Sequence, residues 1–140
     1  MATVTASSLT RFPATDKSYV YADQASITAT PATGDVWRFF VIPAGTEIRS
    51  ITIQNADLGT AAPLDLGFAP VDGSSGTANA FLDDYAAGTA AAAGSAKTYL
   101  LATPVKVEVD SFCQAVFGTI DTGASGAVTV SINGILLGAK

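Results

Sequence analysis

Histidine is missing from the 140 residues, and cysteine and methionine occur once each. Without histidine there is no His-based triad, no His metal site and no commonest general base. A zinc site would have to be gathered from one thiol and scattered carboxylates, which excludes it. With a single cysteine there is no disulfide framework. Cys113, in the strand-like "SFCQAVFG", reads as a buried reduced thiol of a protein made in the cytosol. Charge is scarce as well: charged residues are 14% of the chain, against about 25% in an average soluble domain. The seven Lys and Arg are scattered and the net charge is −5. No cationic footprint exists to displace phosphate counterions, so nucleic acid is excluded as a partner. No apolar run approaches the roughly 18 residues of a membrane span, so no membrane association is expected. The opening "MATVTASSLTRF" lacks a basic region followed by an apolar block, and no signal peptide is expected.

What the chain has instead is small side chains. Hydrophobic residues make up 49%, much of it alanine, and Gly, Ser and Thr are plentiful. Such residues lose little rotamer entropy when a surface is covered. A chain so poor in charge is expected to hide surface against partner subunits. Its length suits one domain that buries about two thirds of its unfolded surface, and no internal repeat is visible.

Residues 1–24 lack a sustained period and read as an extended N-terminal arm with a short strand around Tyr19–Tyr21. Residues 25–140 read as a single β-sandwich domain. Aromatic and β-branched residues at 35–42 favour a strand, Pro43-Ala44-Gly45 a turn, and 46–54 a second strand. In that strand Ile51 and Ile53 share a face that Ile48 does not. All three point inward only if a bulge near Arg49-Ser50 re-aims them, and one is expected there. A further strand is expected at 63–69, followed by an Asp-Gly-Ser-Ser-Gly turn. "NAFLDDYAAG" is expected to form one or two helical turns, capped by Asn79 and stopped by Gly88. "TAAAAGSA" fits either a continued helix or a loop. "KTYLL" and "VKVEVD" are strands, the second alternating Val105, Val107 and Val109 outward and inward with Lys106, Glu108 and Asp110. "FCQAVFGT" and "AVTVSINGILLG" complete the set, with a bulge rather than a hairpin at Asn133-Gly134. The expected fold is all-β: an antiparallel, jelly-roll-like β-sandwich of seven or eight strands with one short helix in a long loop.

One motif suggests chemistry. "IDTGAS" matches the signature of retroviral-type aspartic peptidases, in which two Asp share a proton and a Thr-Gly turn holds each carboxylate. In those enzymes a flap and an apolar-apolar-Gly segment follow the motif. Here only residues 127–140 follow Gly126, and "ILLG" at 135–138 leaves no room for a flap. Asp and Thr favour turns and Gly permits them, so Asp121-Thr122-Gly123 reads as a loop between strands, and Asp121→Asn is expected to be nearly silent. Asp83-Asp84 suggests a carboxylate pair or a calcium ligand set, but on a helix adjacent residues diverge by about 100° and no acidic cluster at loop spacing supports a metal. Trp37, Phe39 and Val41 alternate along one strand face, as a sugar platform or, more simply, as core. No catalytic residue, metal or cofactor is assigned.

The stretch from "VWRFFVIPAGTEI" through "ITIQNADL" and "LDLGFAP" to "NAFLDDYAAG", with the late "VKVEVD…GAVTVSI", resembles small head proteins of tailed bacteriophages, the capsid decoration or cement type. The resemblance covers roughly residues 35–135 and rests on turns and strands; the arm and "TAAAAGSA" lie outside it. It implies a non-enzymatic β-sandwich, made in the host cytoplasm, that binds the major capsid protein outside the shell. It also implies assembly as a homo-oligomer, a trimer above other states, that stiffens the shell. Phe12, Tyr19 and Tyr21 on the arm and Phe81, Asp84 and Tyr85 on the long loop are the contact candidates, since aromatics anchor interfaces and arms of this sort order on binding. The alternative from another class is a ligand- or receptor-binding β-module of a tail fibre or vertex. The peptidase reading stands behind both.

Overall fold

The computed structural model describes residues 2–5, 19–60, 62–87 and 96–137. In chain order the strands are β1 (Thr3–Thr5), β2 (Tyr19–Ala29), β3 (Val36–Ile42), β4 (Thr46–Asn55), β5 (Gly59–Thr60), β6 (Pro63–Pro70), β7 (Thr77–Ala86), β8 (Lys97–Val107), β9 (Ser111–Phe117), β10 (Thr122–Gly123) and β11 (Gly126–Leu136). They form a five-stranded sheet ordered β1-β3-β9-β6-β7, a four-stranded sheet ordered β2-β11-β4-β8, and the small ladder β10-β5. The antiparallel pairs are nested: β2 with β11, β3 with β9, β4 with β8, and β6 with β7. First strand with last, second with next to last, and so inward: this is the winding of a jelly roll, which closes two sheets around one core.

Three expectations about the fold need correcting. Among the described residues there is no helix: 79–86 lie in β7. Phe81 and Tyr85 point inward against β6, whose Leu64 pairs with Tyr85. A neighbouring strand able to satisfy the backbone outweighs a local cap signal. Gly88 and "TAAAAGSA", 89–96, fall almost wholly outside the described residues. Among the described residues the strands number eleven rather than seven or eight, because three short ones flank the eight that form the jelly roll. Finally, the sandwich is not purely antiparallel. β1 pairs in parallel with the edge of β3, held by Asp35, whose carboxylate accepts the N–H groups of Ala2 and Ala32, each at 2.9 Å. The expected arm boundary at residue 24 falls inside β2, which pairs with β11 from Tyr19 onward.

The bulges follow the hydrophobic pattern. In β4 the register against both neighbours skips Arg49, and Ile48, Ile51 and Ile53 are all fully buried. That is the bulge the isoleucine spacing demands. It lies against Gly134 of an unbroken β11, where an added Cβ would come within 2.0 Å of the Glu47 carbonyl oxygen; only glycine lets the bulged backbone approach. β8 joins the two stretches expected as separate strands. Its excursion at 101–104 lies opposite the same bulge and holds Pro104, on an edge where a missing N–H is tolerated. A bulge that periodicity did not reveal skips Phe39 in β3 and turns both Phe39 and Phe40 into the core.

The core between the sheets centres on Trp37, Tyr21, Phe39, Phe40, Phe117 and the isoleucines. Trp37 packs edge-on against Phe117, with ring centroids 4.8 Å apart. Cys113 is wholly buried, and burial pushes its thiol pKa up, as suits an inert core thiol. A buried polar link joins the sheets. The Tyr85 hydroxyl of β7 donates to Asn55 Oδ1 of β4 at 2.7 Å, and Asn55 Nδ2 donates to the Ala87 carbonyl at 3.0 Å.

Candidate interaction surfaces

The contact candidates are scattered through the fold. Phe12 lies outside the described residues. Tyr19 begins β2, paired with Leu136 of β11. Tyr21 is fully buried: its hydroxyl donates toward Asp23 Oδ2 at 3.3 Å and the Val41 carbonyl at 3.4 Å. Burial first, then the neighbouring carboxylate, pushes its phenol pKa up, and burial also raises that of Asp23. Phe81 and Tyr85 are core side chains. Of the six, Asp84 is exposed on the surface. Trp37 and Phe39 are fully buried, so the strand they share is core and offers no sugar platform.

Asp84 is where local geometry departs most from the expectation. Between Leu64↔Tyr85 and Leu66↔Leu82 the β7 side of the ladder holds one residue more than the β6 side. The extra residue is accommodated by Asp84 at φ 51°, the one non-glycine in the left-handed region among the described residues. The bulge breaks alternation, so Asp83 and Asp84 are both exposed and their carboxylates lie within 4.8 Å of each other and of Asp65. The Asp84 N–H donates to Asp65 Oδ1 at 2.9 Å. A helix would have splayed the pair; the bulged strand gathers it with a third acid. With one ligand atom from each of three side chains, two of them exposed, the group gathers fewer oxygens than the six to eight that calcium takes, and it reads as a solvated acidic shelf.

The Asp-Thr-Gly segment is a packed loop. Thr122 pairs with Thr60 and Gly123 with Gly59, and the Ala124 N–H donates to the Leu58 carbonyl at 2.9 Å. A Cβ on Gly123 would lie 2.4 Å from the Pro31 carbonyl oxygen, and one on Gly59 1.9 Å from that of Thr122. Close backbone packing therefore explains the glycine of the motif without catalysis. Asp121 sits exposed at the bend.

At one end of the sandwich the loops after β3, β6 and β8 meet around an open hollow of about 440 Å³ lined by Ala44, Val71, Asp72, Glu108, Val109 and Asp110. Asp110 ties them together: its carboxylate accepts the Ala44 N–H and its carbonyl the Val71 N–H, both at 2.9 Å. Val71 and Val109 are exposed between acidic neighbours. Asp72 accepts the N–H and the hydroxyl of Ser74, which lowers its pKa. The hollow was not legible in the sequence, because its three loops are far apart in the chain. Val109, expected to continue a strand, lies instead in the turn between β8 and β9.

No protein-family model matches the sequence, and no curated protein matches it. Solved structures do match in fold. A chain in the capsid asymmetric unit of cyanophage Pam1 is similar with a TM-score of 0.69 at 18% identity, over 91% of this chain and 92% of that one. A chain in the capsid of Ralstonia phage GP4 gives 0.66 at 20% identity, over 99% of both. A chain in the acidic stable capsid structure of Helicobacter pylori bacteriophage KHP30 gives 0.56 at 15% identity, over 84% of this chain and 92% of that one.

Proposed function

We propose that this chain is a non-enzymatic structural protein of a bacteriophage head, seated on the outside of the capsid shell and stabilising it. The observation that carries the reading is the match, over nearly the whole length of both chains, to chains of two phage capsids. A match of this extent takes in both sheets of the jelly roll. The chain's own chemistry supports the reading. Its acids form a shelf and a loop rim, its aromatics fill the core, and its peptidase-like motif is a close-packed loop.

The finer parts of the proposal are contact with the major capsid protein, assembly with itself, in threes above other states, and synthesis in the host cytoplasm. A residue-poor-in-charge surface favours such contacts, since little desolvation of ions opposes them. The second reading, a ligand- or receptor-binding module of a fibre or vertex, draws on the acid-rimmed hollow beside Val71 and Val109.

The test is quantitative mass spectrometry of purified particles from the source, comparing this chain's copy number with that of the major shell protein. Equal copies, or a fixed simple fraction, are expected. A handful of copies would move the chain to a fibre or vertex, and its absence from particles would overturn a virion role.

A further inference from the structure

The outward face of the β2-β11-β4-β8 sheet carries almost no charge. Its central row runs Gln24, Ser131, Thr52, Thr98 across all four strands. The row on one side passes from Ser26 through Thr129 to Gln54, and on the other from Ala22 through Asn133 and Ser50 to Leu100. Ionic groups enter only at one end, where Arg49 bridges to Glu47 at 2.9 Å and Glu47 pairs across to Lys106.

Three lateral hydrogen bonds run across the face. Ser26 Oγ and Thr129 Oγ1 are 2.6 Å apart, Thr52 and Thr98 hydroxyls 2.9 Å apart, and Ser131 Oγ donates to Gln24 Oε1 at 2.9 Å. These lateral bonds let the face be dehydrated without stranding the five hydroxyls they join. They also hold side chains that have little rotamer entropy to lose. At the two edges of the sheet stand the most exposed large apolar side chains of the described residues, Val20 at 78% and Leu100 at 83%. A surface that had only water to meet would gain from Lys and Glu here, as soluble β-proteins use them.

Charge selects the occupant. The chain carries a net −5, with Asp57, Asp72 and Asp121 in loops and Asp65, Asp83 and Asp84 on the other sheet. Two copies that approach by those surfaces set carboxylate against carboxylate. By this face the acid they bring is Glu47, at one end and bridged to Arg49. We infer that the uncharged outward face of the β2-β11-β4-β8 sheet is the surface through which one copy of this chain binds another. With strands about 4.8 Å apart and a rise of about 3.4 Å per residue, the face covers roughly 500 Å². Over two copies that is about 1,000 Å², the lower bound for a specific interface, so the association is concentration-dependent. The inference rests on the self-association proposed above, not on attachment to a shell.

The test is the mass of the full chain in solution by analytical ultracentrifugation across a wide concentration range. The wild type is expected to form a closed oligomer. The double variant Gln24→Lys/Thr98→Lys and its counterpart Gln24→Glu/Thr98→Glu should each weaken it by about a hundredfold or more through like-charge opposition, with unchanged circular dichroism. An equimolar mixture of the two should re-form it, which a merely misfolded chain does not do. Should either double variant fail to fold, Ser26→Lys, at an exposed and more peripheral site, gives the same reading. A wild type that is monomeric throughout, or an oligomer indifferent to these charges, overturns the inference. A monomer that still binds shells, and loses that binding in the lysine variant, assigns the face to the shell: the inference falls and the proposed function stands.

Discussion

The two sheets of this sandwich solve the same packing problem in different ways. In the β2-β11-β4-β8 sheet, β2 and β11 stay in register without interruption from Gly126↔Ala29 to Leu136↔Tyr19, and the bulge at Arg49 is the one departure of β4 from β11. In the other sheet, β6 and β7 keep register only in fragments, shifting on both sides of Leu66. The difference shows in what reaches the surface. Strict alternation sends every second residue outward, and in the regular sheet those residues are uncharged except at one end. Interrupted alternation sends Asp83 and Asp84 outward together beside Asp65. A regular ladder therefore makes a flat neutral face, and a broken one makes an acidic shelf.

The largest effect is expected where the regular sheet depends on a missing side chain. Gly134→Ala sets a Cβ 2.0 Å from the Glu47 carbonyl oxygen and should cost about 3 kcal/mol, the upper end of overpacking penalties. Urea denaturation would show it as a lower midpoint. A variant as stable as the wild type would mean that the bulge is free to move.

Next comes the buried Asn55–Tyr85 link between the sheets. Asn55→Ala should cost about 2–3 kcal/mol, because the Tyr85 hydroxyl loses its acceptor in a buried site. Tyr85→Phe removes the donor with its desolvation cost, and should lose only about 1 kcal/mol. Equal losses, read from the same melts, would show that the hydrogen bond does not couple the sheets.

A smaller effect of opposite sign is expected in the irregular sheet. Asp84→Gly relieves the positive φ and should gain about 0.5 kcal/mol, whereas Asp84→Ala keeps the strain and gains nothing. If both stabilise alike, repulsion among the three carboxylates rather than the backbone is what costs stability there, and a salt titration would separate the two.

The smallest effect concerns Asp23, on the inward side of β2. Burial raises its pKa above the ordinary 3.8, so the folded chain holds its proton to higher pH than the unfolded chain does. Stability is therefore lost as pH rises from the unfolded value through the raised folded one, and stays lost above it. Asp23→Asn cannot ionise. Its melting temperature relative to wild type should rise over that interval and level off at neutral pH. A difference that is flat with pH would show that Asp23 ionises as freely in the fold as out of it.

Much of the core was legible in the chain. Period two with aromatic and β-branched residues marks β3, β4 and β11, and the misplaced Ile48 announces its bulge, because a side chain that must be inside constrains the backbone. Other elements were not legible. β2 alternates Tyr21, Ala25 and Ile27 inward, but Asp23 sits in the same phase and its small polar neighbours resemble an arm. Asn79 and Gly88 look like helix limits, yet β6 offers residues 77–86 a ladder. The acidic shelf was hidden by that same misreading, and the neutral face by the lack of a visible β2.

By itself, then, the sequence determined what kind of chain this is: poor in charge, rich in small side chains, without histidine or paired cysteine, with apolar residues alternating strongly enough to require two packed sheets. Those are properties of composition and period, and any fold of this chain must satisfy them. The tertiary structure decided which strands meet, where the ladder breaks, and hence which face is neutral and which is acidic. Strand pairing is a choice among distant partners, made by backbone hydrogen bonds and core fit that no local window contains.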